Sequence, residues 1–204
     1  MSSATPARGT RSGPDHVIHD RIILAATEHF RLYGFEKTTV SDLANAIGYS
    51  KAYIYKFFDS KQAIGEVICV NCLEKITEAV DRSVRAGKSS SDQIRRMFRA
   101  LVDANATLFS DDRKLYDIAA VAARDRWPAV DAFEEHLRRT LAQILKEGRE
   151  SGEFERKTPL DETVAATFLV MLPYANPLLS QHSLDHAKDA ALQLASLILR
   201  SLTP

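Results

Sequence analysis

The stretch TTVSDLANAIGYSKAYIYKFFDSK, residues 38–61, decides how this chain is read. It contains two short helical patterns separated by a glycine. Thr39 suits an N-cap, and Asp42 falls in the first turn, where the helix dipole favours an acid. Leu43, Ala44 and Ile47 share one face, and Gly48 ends the helix. Ser50 then caps a second short helix holding KAYIYKFF. Two short helices about a tight glycine-containing turn form the helix-turn-helix pattern.

Residues 48–61 crowd Tyr49, Tyr53, Ile54, Tyr55, Phe57 and Phe58 together with Lys51, Lys56 and Lys61. One reading is a core-packing helix. Ile54 and Phe58 lie four apart and face inward, with part of Phe57. Ser50, Lys51, Tyr53, Tyr55 and Lys56 do not share that face. The N–H groups at a helix start suit a phosphate. The lysines add charge and the tyrosines add hydroxyl donors. The second helix of such a pair enters the major groove, so the other reading is a DNA-contacting surface.

Outward from this stretch, the chain has 204 residues and can bury a core without disulfide staples. Lys+Arg and Asp+Glu both number 27, so a basic surface has to be local. The start, MSSATPARGTRSGPDH, is polar and has no apolar signal core, and it reads as a disordered arm over residues 1–18. Its Arg8 and Arg11 are either solvated or reach a minor groove. The uncharged run over residues 163–184 is interrupted by Pro173, Asn176, Pro177, Gln181 and His182, which argues against a membrane span. Two cysteines without a signal point to a reducing cytoplasm.

Nearly every other segment has helical period and punctuation. A first helix over residues 19–33 turns Ile22, Ile23, Ala26 and Phe30 inward, with Gly34 as its left-handed cap. A long helix follows to residue 85. Ser90 and Gln93 have capping-box spacing for the next one. Further helices are expected over 112–124, from Pro128 to 150, over 160–179 with Pro173 inside, and over 184–202 with Ser183 as cap. The fold class is all-α, divided into a helix-turn-helix unit over 19–63 and a larger helical unit over 64–204.

Tyr33-Gly34-Phe35, Thr38-Thr39, Ser50-Lys51-Ala52-Tyr53-Ile54-Tyr55-Lys56-Phe57-Phe58 and Ser60-Lys61 together resemble the N-terminal domain of the tetracycline-repressor family of bacterial transcriptional regulators. The resemblance covers residues 21–64. Ala52 stands where the family commonly has glycine, and Tyr53 where it has a small hydroxyl residue. It implies a homodimer binding a palindromic DNA operator, a C-terminal ligand-binding domain, and a small-molecule effector that releases the DNA. The DNA-contacting residues it implies are Thr38, Thr39, Ser50, Lys51, Ala52, Tyr53, Tyr55, Lys56 and Lys61.

In the C-terminal two-thirds, a mainly apolar pocket is expected among the helices near 67–80, 94–109, 115–122 and 133–145. Its candidate lining is Cys72, Ile76, Phe98, Leu101, Asn105, Phe109, Tyr116, Trp127, Phe133, His136, Phe168 and Met171, with Ala119, Ala120, Ala122 and Ala123 leaving room. Asn105 reads equally as half-buried packing or a ligand contact, and His136 as a satisfied core histidine or a pocket residue. Cys69 and Cys72 lie well inside a helix, where packing thiols are the preferred reading and a redox or metal sensor the other. No nucleophile–base pair, metal spacing or cofactor loop stands out, so neither an enzyme nor a bound cofactor is expected. A surplus of leucines over 160–202 calls for a second packing partner, which a dimer supplies.

Overall fold

The computed structural model describes residues 14–176 and 184–204. Its helices are α1 (Pro14–Tyr33), α2 (Val40–Ile47), α3 (Lys51–Ile54), α4 (Lys61–Arg85), α5 (Ser90–Asp111), α6 (Arg113–Arg124), α7 (Pro128–Glu150), α8 (Leu160–Ala175) and α9 (Leu184–Ser201). Among the described residues there is no strand, and no helix is long and apolar enough to cross a membrane. The fold is all-α, with an N-terminal helix-turn-helix and a C-terminal helical domain.

The N-terminal unit is built as its caps dictate. Thr39 accepts the Asp42 N–H while the Asp42 carboxylate accepts the Thr39 N–H, a complete capping box. Gly48 ends α2 at φ 77°, in the left-handed region where glycine carries no Cβ penalty. Ser50 caps α3 by accepting the Tyr53 N–H. Only Lys51–Ile54 is α-helical, and a turn continues the element through Phe57. Ile22, Ala26, Phe30, Leu43, Ile54 and Phe58 form the small core beneath it.

Several expected boundaries move. α1 begins at Pro14 with Asp15 in its first turn, so residues 14–18 are helical and not arm; Arg8 and Arg11 lie outside the described residues. Ser89, not Ser90, caps α5, and the Ser90 and Ser91 N–H groups go to the Glu153 carboxylate. α8 ends at Ala175 with Pro173 in its last turn. The expected cap Ser183 also lies outside the described residues.

α4 runs from the helix-turn-helix into the C-terminal bundle, packing on α1, α5, α6 and α7. Gly65 marks the join. A Cβ there would sit 2.6 Å from the Phe35 ring and 2.9 Å from Trp127, so its absence lets those rings meet edge-on at 5.5 Å. Trp127 occupies the N-cap position of α7 without a side-chain capping bond, and Pro128 follows in the first turn.

Candidate nucleic-acid interface and cavity

Ile54 and Phe58, 0% and 5% exposed, lock the second helix of the helix-turn-helix to the core. Ser50, Lys51, Ala52, Tyr55 and Lys56 consequently stand exposed on its outer side, and Thr39 is exposed at the start of α2. Tyr53 is half-buried. Its ring lies between Tyr49 (4.9 Å) and Phe57 (5.5 Å), and Lys56 Nζ sits 5.3 Å from its centroid. Lys51 Nζ lies 5.8 Å from the Tyr55 ring. Arg21 of α1 donates to the Tyr49 hydroxyl at 3.4 Å, extending the ladder onto the first helix. Sequence reading did not single out Arg21, because only the fold sets it beside Tyr49.

Two residues placed with this group take other positions. Thr38 is 2% exposed, and its hydroxyl donates to the Gly34 carbonyl at 2.8 Å. It braces the loop between α1 and α2, and its side chain is too buried to meet a phosphate. Lys61 donates to the carbonyls of Phe35 (2.9 Å) and Glu36 (3.3 Å) and covers the Phe35 ring at 4.5 Å. Burial lowers its pKa, with Glu36 acting the other way. One of its three N–H groups stays uncommitted.

Behind this unit is a cavity of about 710 Å³, in the size range of small-molecule sites. α4 lends it Cys72, Lys75, Ile76, Ala79 and Ser83. α5 lends Arg99, Ala100, Asp103, Ala104, Thr107 and Leu108. Thr27 and Arg31 come from α1, and Asp112 and Leu115 from the start of α6. Ala79, Ala100 and Ala104 leave the room, where helices facing each other with longer side chains would close it. Arg31 Nε pairs with the Asp112 carboxylate, and Arg31 also reaches Glu28 at 3.2 Å. The Asp112 Oδ1 accepts the Leu115 N–H at 3.1 Å and caps α6.

Of the expected lining, Cys72 and Ile76 are in this wall. Phe98, Leu101, Tyr116, Trp127, Phe133, Phe168 and Met171 are buried in the packed core, and Phe109 meets Tyr116 edge-on at 5.1 Å. α7 supplies no lining residue, and α1, unforeseen in this role, supplies part of it. Ala119, Ala122 and Ala123 allow close packing of α6 and open no space. Asn105 is 1% exposed and faces α8; its Nδ2 donates to Leu101 O of its own helix (3.0 Å) and to Tyr174 O of α8 (2.9 Å). His136 Nε2 lies 2.9 Å from Asp81 Oδ1, joining α7 to α4. Periodicity identified the inward faces of these helices, but not which inward faces stop short of contact.

Cys69 and Cys72 are both buried and free. Burial pushes the Cys69 thiol up to about 12 and raises Cys72 as well. Such thiols stay protonated near neutrality and are poor nucleophiles. Among the described residues no cluster of His, Cys, Asp and Glu is arranged to hold a metal ion.

Residues 22–67 match the family described as bacterial regulatory proteins, tetR family. Residues 90–194 match the tetracyclin repressor-like C-terminal domain. A Bacillus subtilis (strain 168) protein, the uncharacterized HTH-type transcriptional regulator YdgC, is 22% identical over 191 residues, covering 90% of this chain and 92% of its own. The TetR-family transcriptional regulator PfmR from Thermus thermophilus superposes with a TM-score of 0.60 at 25% identity, covering 89% of this chain and 98% of its own. The regulator FadR from Bacillus subtilis, solved with stearoyl-CoA, superposes with a TM-score of 0.65 at 16% identity over 90% and 99% of the two chains.

Proposed function

The chain belongs to the tetracycline-repressor family of transcriptional regulators, and from that premise we propose that it is a repressor which binds a palindromic operator as a homodimer and is released by a small, largely hydrophobic effector. The observation that carries the DNA half is the division of residues 50–58. Ile54 and Phe58 are locked inward while Ser50, Lys51, Ala52, Tyr55 and Lys56 stand exposed. Lys51, Ala52, Tyr53 and Lys56 meet base edges, and Lys56 is long enough to reach a phosphate as well. Ser50, Tyr55, Thr39 and the spare N–H of Lys61 set the register on phosphates.

The 710 Å³ cavity supports the effector half. It lies against α4, which continues into the helix-turn-helix, and against α1 of the same unit. A ligand there changes DNA affinity only through unequal affinity for two arrangements of these helices. The matched families are of regulators, and a catalytic role has no comparable support.

The test is a footprint on the DNA just upstream of this protein's own gene. A discrete protected palindrome is expected. Diffuse coverage would mean an architectural DNA binder, and no protection on any genomic fragment in a selection would remove the regulator reading.

A further inference from the structure

The charged groups that line the cavity are the linked pair Arg31 and Asp112, a second carboxylate, Asp103, and the cations Lys75 and Arg99. Arg31 and Asp112 hold each other across the boundary between α1 and α6. Lys75 and Arg99 are exposed on the rim and, among the described residues, form no ion pair. Lys75 and Asp112 both act electrostatically on the Cys72 thiol, so both lie at the Cys72 end of the cavity, beside the linked pair. From there the cavity follows α4 to Ser83, roughly 16 Å of helix. Ile76, Ala79, Ala100 and Ala104 make much of that length apolar. Arg31, Lys75 and Arg99 against Asp103 and Asp112 leave the lining one positive charge in excess, beside room for an apolar body.

We propose that the effector is an amphipathic anion, an apolar body carrying a carboxylate or phosphate, whose acidic end is received by Lys75 and Arg31 and takes Arg31 from Asp112. This inference rests on the effector reading given above. Arg31 is already turned to the cavity by Glu28 and Asp112, which also hold it protonated. Its side chain keeps 45% of its surface accessible, so an incoming acid can reach it without unfolding the wall. Asp112 does not lose its place when Arg31 leaves, because its other oxygen still caps α6. What the exchange breaks is a link between α1 of the helix-turn-helix and the first turn of α6. The anion therefore favours the arrangement in which those helices are uncoupled, which is the differential affinity an effector needs.

The experiment titrates the full-length protein calorimetrically with decanoate, decyl phosphate, 1-decanol and decyltrimethylammonium. Operator binding is followed in parallel by fluorescence anisotropy. One or both acids should bind at least about tenfold tighter than the alcohol, and the cation should bind most weakly. Comparing the two acids identifies the headgroup. Lys75→Ala and Arg31→Gln should each reduce acid affinity to the level of the alcohol. Lys75 is exposed, so that variant decides the matter even if Arg31→Gln folds poorly. Asp112→Asn keeps a good helix cap but frees Arg31. It should bind the acids more tightly and the operator more weakly than wild type. Alcohol or cation binding as tight as that of the acids, or acids unaffected by Lys75→Ala, would overturn the anion proposal while leaving an effector site in place. Failure of the effector reading looks different: no probe binds whatever its headgroup, and the operator stays bound throughout.

Discussion

Lys61, the first residue of α4, donates its ammonium to the Phe35 carbonyl at 2.9 Å and covers the ring of the same residue at 4.5 Å. One side chain thereby fastens the α1–α2 loop to the long helix that leaves the helix-turn-helix. Lys61→Ala should lower stability by about 1 kcal/mol, since a hydrogen bond from a charged donor contributes about 1.5–3 kcal/mol and this one is only half-buried. Its effect on the salt dependence of operator binding should be less than the roughly one unit expected of a lysine wholly given to a phosphate. Thermal unfolding and titrations at two salt concentrations measure the two effects separately. A full unit lost with no change in Tm would return Lys61 to a purely phosphate-contacting role.

Glu153 accepts the N–H groups of Ser90 and Ser91 at 3.0 and 3.1 Å and caps α5 from the loop that follows α7. Burial acts to raise its pKa, but the donated N–H groups outweigh that and hold it below its ordinary value of 4.5. Its stabilisation is therefore complete above the unfolded value and is lost as pH falls through the lower folded one. Glu153→Gln should cost about 0.5–2 kcal/mol at pH 7, as loss of a helix cap does. The difference from wild type should shrink below pH 4.5. A denaturant series across pH measures it, and a gap of constant size down to pH 3 would show that the carboxylate charge contributes nothing.

The N-terminal caps were legible in the sequence because each signal is local. Thr39 with Asp42, Gly48 and Ser50 need only their neighbours, and the structure uses all of them as read. The cap of α5 shifted by one residue because a group 63 positions away, Glu153, satisfies Ser90. Thr38 differs for another reason, since its partner is near in sequence and it is burial beneath the α1–α2 turn that takes it from the surface. Its buried hydroxyl donates to Gly34 O, four residues back in the α1–α2 loop. The cavity was the least legible feature. An apolar stripe looks the same whether it is wholly enclosed, as Phe98 and Leu101 are, or borders the cavity, as Ile76 does.

Tyr53 is clasped between Tyr49 and Phe57, so its ring is held before DNA arrives and little rotamer entropy remains to be lost. Tyr53→Ala should cost about 1–3 kcal/mol on the operator and relax preference at one or two base pairs. Tyr53→Phe keeps the clasp and isolates the hydroxyl. Lys51→Ala should behave as Tyr53→Ala does if it reads a base. Titrations against operator and scrambled DNA distinguish the roles. Equal losses on both would mean that these side chains grip the backbone only.

Leu169 of α8 and Leu197 of α9 are 66% and 56% exposed in the single chain. The two helices pack on each other, and the exposed Ala165, Ala166 and Pro173 extend the same side of α8. Leu194 and Ile198, by contrast, are half-buried against the chain's own core, so a charge there would damage the fold and the interface together. Leu169→Glu and Leu197→Glu are cleaner tests, because in an isolated chain each replaces an exposed leucine and should leave Tm nearly unchanged. Across a two-fold interface each places a carboxylate, and its symmetry mate, in apolar surroundings. Dimerisation should weaken by at least about tenfold. Operator affinity should fall with it, since two half-sites roughly a helical turn apart need two reading helices held together. Sedimentation at micromolar concentration gives the first result and a gel shift the second. A wild-type monomer in sedimentation, or variants that stay dimeric, would place the interface elsewhere on the bundle.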